Sequence, residues 1–98
     1  MKIIRVNVGS PPEVLDVPAD QLTLKYMQDA VGGYIDCVGI LPEVSLICND
    51  EGLYCGEDGG PLPANICGIY GNFLISAYKL ADGETRSLTD SEVVAALY

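Results

Sequence analysis

The chain has 98 residues, with 14 Asp plus Glu against 5 Lys plus Arg, so it carries a formal charge of −9. Five cations, Lys2, Arg5, Lys25, Lys79 and Arg86, are too few to hold a nucleic-acid backbone by counterion release, which excludes a nucleic-acid polymer as partner. At 49% apolar residues the chain is too hydrophobic to stay disordered. No uncharged stretch is long enough to cross a bilayer, so one soluble domain spanning residues 1–98 is expected, with no membrane partner.

A domain of this size buries only about 60 to 65% of its extended-chain surface. The core should therefore be thin, and a homo-oligomer, by default a dimer, is expected to cover what remains exposed. The opening Met1-Lys2-Ile3-Ile4-Arg5 leads to a polar Asn7 and a Gly9-Ser10-Pro11-Pro12 turn. It lacks the apolar centre of a secretory leader, so a cytoplasmic location is expected.

Lys2 to Val8 alternates apolar and polar residues and stops at the Gly-Ser-Pro-Pro cluster, which predicts a first strand. Glu13 to Val17 is a second, and the four-residue connection makes the pair an antiparallel hairpin. From Asp20 to Val31 the period changes, with Leu24, Met27 and Val31 at helical spacing and Asp20 or Thr23 as N-cap. Gly32 can take the left-handed position that closes this main helix, and Gly33 frees the chain to turn back.

Tyr34 to Ile40 and Val44 to Asn49 then read as two strands at the sheet centre, followed by an Asn49-Asp50-Glu51-Gly52 turn. A short extended segment, Leu53 to Cys55, precedes a loop from Gly56 to Ala64, whose three Gly and two Pro forbid regular structure. Asn65 to Tyr70 allows one helical turn, and Gly71 to Lys79 alternates as a strand. At the end, Thr89-Asp90-Ser91-Glu92 matches a capping box with Leu88 and Val93 as its hydrophobic staple, opening a helix to about Leu97. The expected fold class is α+β: about five strands, antiparallel or mixed, packed on one main helix with a short C-terminal helix.

Cys37, Cys48, Cys55 and Cys67 contain no Cys-x-x-Cys pair, and there is no histidine. The usual structural zinc patterns are absent, and no metal or other cofactor is expected. Cys37 and Cys48 sit in apolar runs, where reduced cysteine behaves as a small buried hydrophobe. Without histidine no Cys-His or Ser-His-Asp nucleophile arrangement can be built within the chain, so an enzyme is not expected.

The segment Met27-Gln28-Asp29-Ala30-Val31-Gly32-Gly33-Tyr34-Ile35-Asp36 resembles the L-Q-x-x-V-G-G-x-I-E signature of a small phage-associated family of unknown function. Leu46-Ile47-Cys48-Asn49-Asp50-Glu51-Gly52 is similar to its h-h-h-N-E-E-G turn. Asn65, the Ile69 to Ile75 strand and Arg86-Ser87-Leu88-Thr89 match in the same order, so the resemblance covers nearly the whole chain. Tyr54-Cys55 and the Gly-rich loop depart from it, standing where a shorter connection belongs. The resemblance implies a short cytoplasmic protein carried by phages and mobile elements, mostly of Gram-positive bacteria; it implies no reaction.

Several residues are candidates for ligand contact. Gly33 either follows a helix stop or lets backbone approach a ligand, with Tyr34 free to stack on a base. Arg86, Ser87 and Thr89 combine a guanidinium, two hydroxyls and the amides of a helix start, which suits either a phosphate site or ordinary capping with a solvated Arg86. Gln28 can read a base edge through its amide fork. Asn49 and Asn65 serve as turn residues or ligand readers, and Tyr70 is one of six tyrosines beside a single Phe, a bias found at half-wet pockets and interfaces.

Taken with the family context, this inventory of Tyr, Asn, Gln and Arg points to a phage counter-defence binding protein. It would sequester a nucleotide-derived immune signal, of cyclic dinucleotide or cyclic ADP-ribose type, without turnover. The alternative is an acidic protein–protein inhibitor or DNA mimic acting on a host defence or restriction enzyme, suggested by the charge of −9 although the acids are scattered rather than in runs.

Overall fold

Ile3, Ile4 and Val6 send apolar side chains to both sides of the first strand, and both sides are covered. Residues 1–52, 59–79 and 84–97 are described in the computed structural model of the chain. Residues 53–58 lie outside them, and with them the segment expected at Leu53 to Cys55 and the start of the Gly56 to Ala64 loop. The described elements are β1 (Lys2–Val6), β2 (Glu13–Asp16), α1 (Leu24–Val31), β3 (Ile35–Leu41), β4 (Val44–Asn49), a single 3-10 turn (Ile66–Gly68), β5 (Phe73–Tyr78), β6 (Thr85–Arg86) and α2 (Asp90–Leu97).

Among the described residues these strands form one six-stranded antiparallel sheet in the order β2-β1-β5-β4-β3, with β6 also paired to β5. The protein is therefore α+β, with an all-antiparallel sheet. A continuous apolar row crosses it, because Val14 pairs with Ile4, Ile4 with Ile75, Ile75 with Leu46 and Leu46 with Val38. Such a row fixes register, since a one-residue slip would turn each of these side chains to the other face.

The expected main helix and short C-terminal helix are both present, but they are equal in length at eight residues, one on each face. Ile3, Val17, Ile47 and Leu74 pack with Tyr26, Met27 and Ala30 of α1. Ile4, Val6, Val44, Leu46, Phe73 and Ile75 pack on the other side with Leu88 and with Val93 and Ala96 of α2. α1 begins four residues later than expected because Gln21 and Leu22 donate to the Pro18 carbonyl in a preceding turn. Thr23 is then the N-cap, its hydroxyl accepting from the Tyr26 N–H at 3.2 Å. The helix closes as read: Gly32 sits at φ 80° and donates to the Gln28 carbonyl, a conformation that costs glycine no strain.

β3 and β4 were both expected at the sheet centre, and β3 is instead an edge strand. Its residues Asp36 to Ile40 are exposed, and with them Cys37, which is a free exposed thiol rather than a buried one, whereas Cys48 is free and buried. An uninterrupted apolar run reads the same for a covered central strand and for an uncovered edge. The sixth strand, Thr85–Arg86, escaped the sequence because two residues show no period.

Candidate functional site

The sheet sorts the candidate residues into two groups at opposite ends. Asn49 closes β4, and Asn65 and Tyr70 lie in the chain that leads into β5. Gly33 and Tyr34 follow α1, whose Gln28 carbonyl accepts from both Gly32 and Gly33. Arg86, in contrast, pairs with Ala77 beside Val44, the first residue of β4. Five residues of strand separate Val44 from Asn49, roughly 16 Å, so Arg86 and Asn49 cannot meet one phosphate and its own base.

At the first end Asn49 is buried and fully engaged. Its Nδ2 donates to the Val31 carbonyl at 3.1 Å and its Oδ1 accepts from the Glu51 N–H at 2.8 Å, which ties the turn after β4 to the end of α1. A Cβ on Gly33 would stand 3.0 Å from that same Nδ2, so the close approach expected of Gly33 is to Asn49. The turn carries the reversal as read, with Gly52 donating to the Asn49 carbonyl.

Asn65 has a similar part. Its Nδ2 donates to the Val6 carbonyl at 3.1 Å and the Gly71 carbonyl at 2.9 Å, while its Oδ1 accepts from the Ile66 N–H. One amide thus joins the 3-10 turn to the ends of β1 and of the strand approach. Asn65→Ala is expected to lower stability by roughly 1 to 2 kcal/mol, since three modest hydrogen bonds go and two carbonyls lose a donor. A urea titration measures it, and a midpoint equal to that of the unaltered protein would remove Asn65 from the scaffold.

Between the turn and the 3-10 segment lies a cleft of about 190 Å³ lined by Cys48, Asn49, Asp50, Gly52, Gly68, Ile69 and Tyr70. Of the expected site residues it brings together Asn49 and Tyr70. Tyr34, 71% exposed, does not line it, although its carbonyl accepts from the Asp50 N–H, and Gln28 and Asn65 do not line it either. Sites for drug-sized ligands run to roughly 300–1,000 Å³, so this cleft has room for a planar ring and not for a whole nucleotide. Burial first, then the nearby Asp36, pushes the thiol pKa of Cys48 up, and its Sγ donates to the Asp36 carbonyl at 3.8 Å.

At the other end the groups read as a phosphate site are occupied. The two terminal nitrogens of Arg86 each donate to one oxygen of Glu92 at 2.7 Å, and Nη1 also reaches the Ser87 carbonyl. Thr89 and Glu92 form the expected capping box, the Glu92 N–H donating to Thr89 Oγ1 and the Thr89 N–H to Glu92 Oε1. Ser87 Oγ accepts from the Lys2 N–H at 2.8 Å. Arg86 was expected either solvated or on a phosphate, and it is neither: the carboxylate three residues into the capping box already fills its fork.

The residues that sequence reasoning missed lie on the α2 face. A second cleft, of about 480 Å³, is lined by residues of apolar type, among them Val38, Ile40, Leu46, Ile66, Ile69, Phe73 and Ala95. Val38, Ile40 and Ile66 are exposed there at 46, 38 and 51%. The signal for it was present in the spacing of Val38 and Ile40, but only the edge position of β3 turns that spacing into open surface.

Among the described residues no group of three or more His, Cys, Asp or Glu could hold a metal ion. No helix among them is long and apolar enough to cross a membrane. The family model described as a domain of unknown function, DUF3846, matches residues 1–97. No curated protein and no solved structure matches the chain.

Proposed function

The chain belongs to the DUF3846 family, and since that description assigns no activity, we propose from the site alone that the protein captures a ligand without turnover. In this reading it is a phage counter-defence protein that sequesters a nucleotide-derived immune signal of cyclic dinucleotide or cyclic ADP-ribose type. The observation that carries the reading is the small cleft that unites Asn49 and Tyr70. Backbone groups and aromatic faces suit tight holding of a base. Acid–base pairs are not needed for it.

In this reading the phosphate does not sit at Arg86, Ser87 and Thr89, because Glu92 holds the guanidinium with two charge-assisted bonds. The base enters the cleft and the phosphates stay toward solvent, which limits the cost of bringing an anion to a chain of charge −9. The test is calorimetry against a panel of cyclic dinucleotides and cyclic ADP-ribose isomers, with mass spectrometry of molecules released by heating the purified protein. Tyr70→Ala is expected to weaken binding by roughly 5- to 100-fold, the worth of one stacked base. Arg86→Ala should bind as the unaltered protein does. If no member of the panel binds at tens of micromolar, the capture reading fails.

The second reading, an acidic inhibitor of a host defence or restriction enzyme, is favoured by one separate observation. The 480 Å³ cleft on the α2 face is apolar and bordered by exposed Val38, Ile40 and Ile66, which is the composition of an interface centre. Pull-down against purified candidate enzymes separates it from small-molecule capture.

A further inference from the structure

The two edges of the sheet are built differently. β2 is four residues long, carries Glu13 and Asp16 at its ends, and is bracketed by Pro12 and Pro18. Those are the usual means of stopping an edge from pairing. β3 is seven residues long, has no Pro or Lys, and carries Asp36 as its one charge. Among the described residues it is the unprotected edge.

Its free hydrogen-bonding groups can be assigned. The Asp50 N–H donates to the Tyr34 carbonyl at 2.8 Å, so residue 34 bonds toward β4, and by the two-residue repeat of an antiparallel pair so do 36 and 38. The N–H and C=O of Ile35, Cys37 and Gly39 therefore point to the open edge. Among the described residues no turn or loop group bonds them. Beyond Gly39 the register shifts toward Leu41, which ends the regular edge.

We propose that two copies of the chain pair antiparallel along β3, in the two-fold register centred on Cys37, to make one continuous sheet. That register sets Ile35 of each copy opposite Gly39 of the other and uses all three outward residues. Centring one residue earlier would put the two Asp36 carboxylates face to face, a repulsive arrangement. Centring one residue later would leave Ile35 out of the pairing. In the chosen register Asp36 lies opposite Val38 of the other copy, and the two apolar clefts on the α2 faces adjoin at Val38 and Ile40.

Five paired residues at about 3.3 Å and a sheet roughly 20 Å deep with its side chains give an edge of about 330 Å² per copy. Twice that is below the range of permanent interfaces, so the dissociation constant belongs in the micromolar range. Association does not depend on the ligand reading above, since β3 and the Asn49–Tyr70 cleft share no lining residue.

The test reads mass by light scattering over a concentration series, with a short bis-maleimide crosslinker applied near neutral pH, where maleimide is selective for thiols such as the exposed Cys37. The unaltered protein should approach twice 10.4 kDa at tens of micromolar, and a variant with Cys55→Ser and Cys67→Ser should give a crosslinked dimer that adding Cys37→Ser abolishes. Val38→Glu sets a carboxylate opposite Asp36 twice per dimer and is expected to raise the dissociation constant roughly tenfold. Val38→Lys offers Asp36 an opposite charge and should associate at least tenfold more tightly than Val38→Glu. Position 38 is 46% exposed, and circular dichroism of both variants checks that they keep the fold. A monomer at every concentration, a crosslink that survives Cys37→Ser, or equal behaviour of the two Val38 variants would each overturn the proposal.

Discussion

Phe73→Ala is expected to destabilise the protein by roughly 3 to 5 kcal/mol, a large share of the 5 to 15 kcal/mol that holds a domain of this kind together. Phe73 is the largest of the fully buried side chains, at 1% exposure. It pairs with Val6 and packs within the α2-face cluster. It also forms part of the wall of the 480 Å³ cleft, so its removal enlarges a space that is already open and that neighbours cannot collapse to fill. A chemical denaturation midpoint measures the loss, and Tyr34→Ala, at a position 71% exposed, supplies the comparison with no expected change. If Phe73→Ala shifts the midpoint no more than Tyr34→Ala, the α2-face cluster is not the main core.

The elements with strong local chemistry were legible before any coordinates. Thr89 and Glu92 formed their capping box because hydroxyl and carboxylate three apart have one mutual geometry at a helix start. Gly32 took the left-handed cap and Asn49 to Gly52 turned, for equally local reasons. What failed depended on neighbours. The apolar run of β3 was taken for a covered centre, and its edge position follows from β4 having β5 on its other side, which no window of β3 contains. Helix α1 lost its first turn to Pro18, whose carbonyl collects two N–H groups.

The site was half legible for the same reason. Asn49 and Tyr70 were named from residue type, and the fold brings them to one cleft across twenty-one positions of chain. Asn65, read on the same grounds, holds β1, the 3-10 turn and Gly71 together, and Asn49 likewise spends its amide on Val31 and Glu51, so only its place in the cleft wall sets it apart. A sequence shows which side chains can hydrogen-bond and not which partners have already been supplied. That difference separates a ligand reader from a strut, and it decides Arg86 as well.

Arg86 joins β6 to α2 through Glu92, with the two side chains only 22 and 18% exposed. Glu43 adds a weaker contact at 4.0 Å. Hydrogen bonding from Arg86 first, and from the Thr89 N–H second, holds the Glu92 carboxyl down to about 2 from an ordinary 4.5. A carboxyl depressed in the folded state contributes stability that is fully present above its unfolded value and is lost as pH falls through its folded one. The Glu92 contribution should accordingly be complete above about pH 4.5 and disappear toward pH 2. Asp90, lowered by its hydrogen bond to Lys2, steepens the same slope without changing its sign.

Arg86→Ala is then expected to cost about 2 to 3 kcal/mol at neutral pH, from two charge-assisted bonds partly shielded from water. For a domain of this length that lowers the melting temperature by at least about 8 °C. Glu92→Gln removes the titrating group itself, so its stability should fall less between pH 4.5 and 2 than that of the unaltered protein. Thermal melts of the three proteins from neutral to acid pH provide the measurement. Parallel pH profiles for the unaltered protein and Glu92→Gln would mean that the pair contributes nothing net, and an unchanged melting temperature in Arg86→Ala would return its guanidinium to the pool of groups free to meet a phosphate.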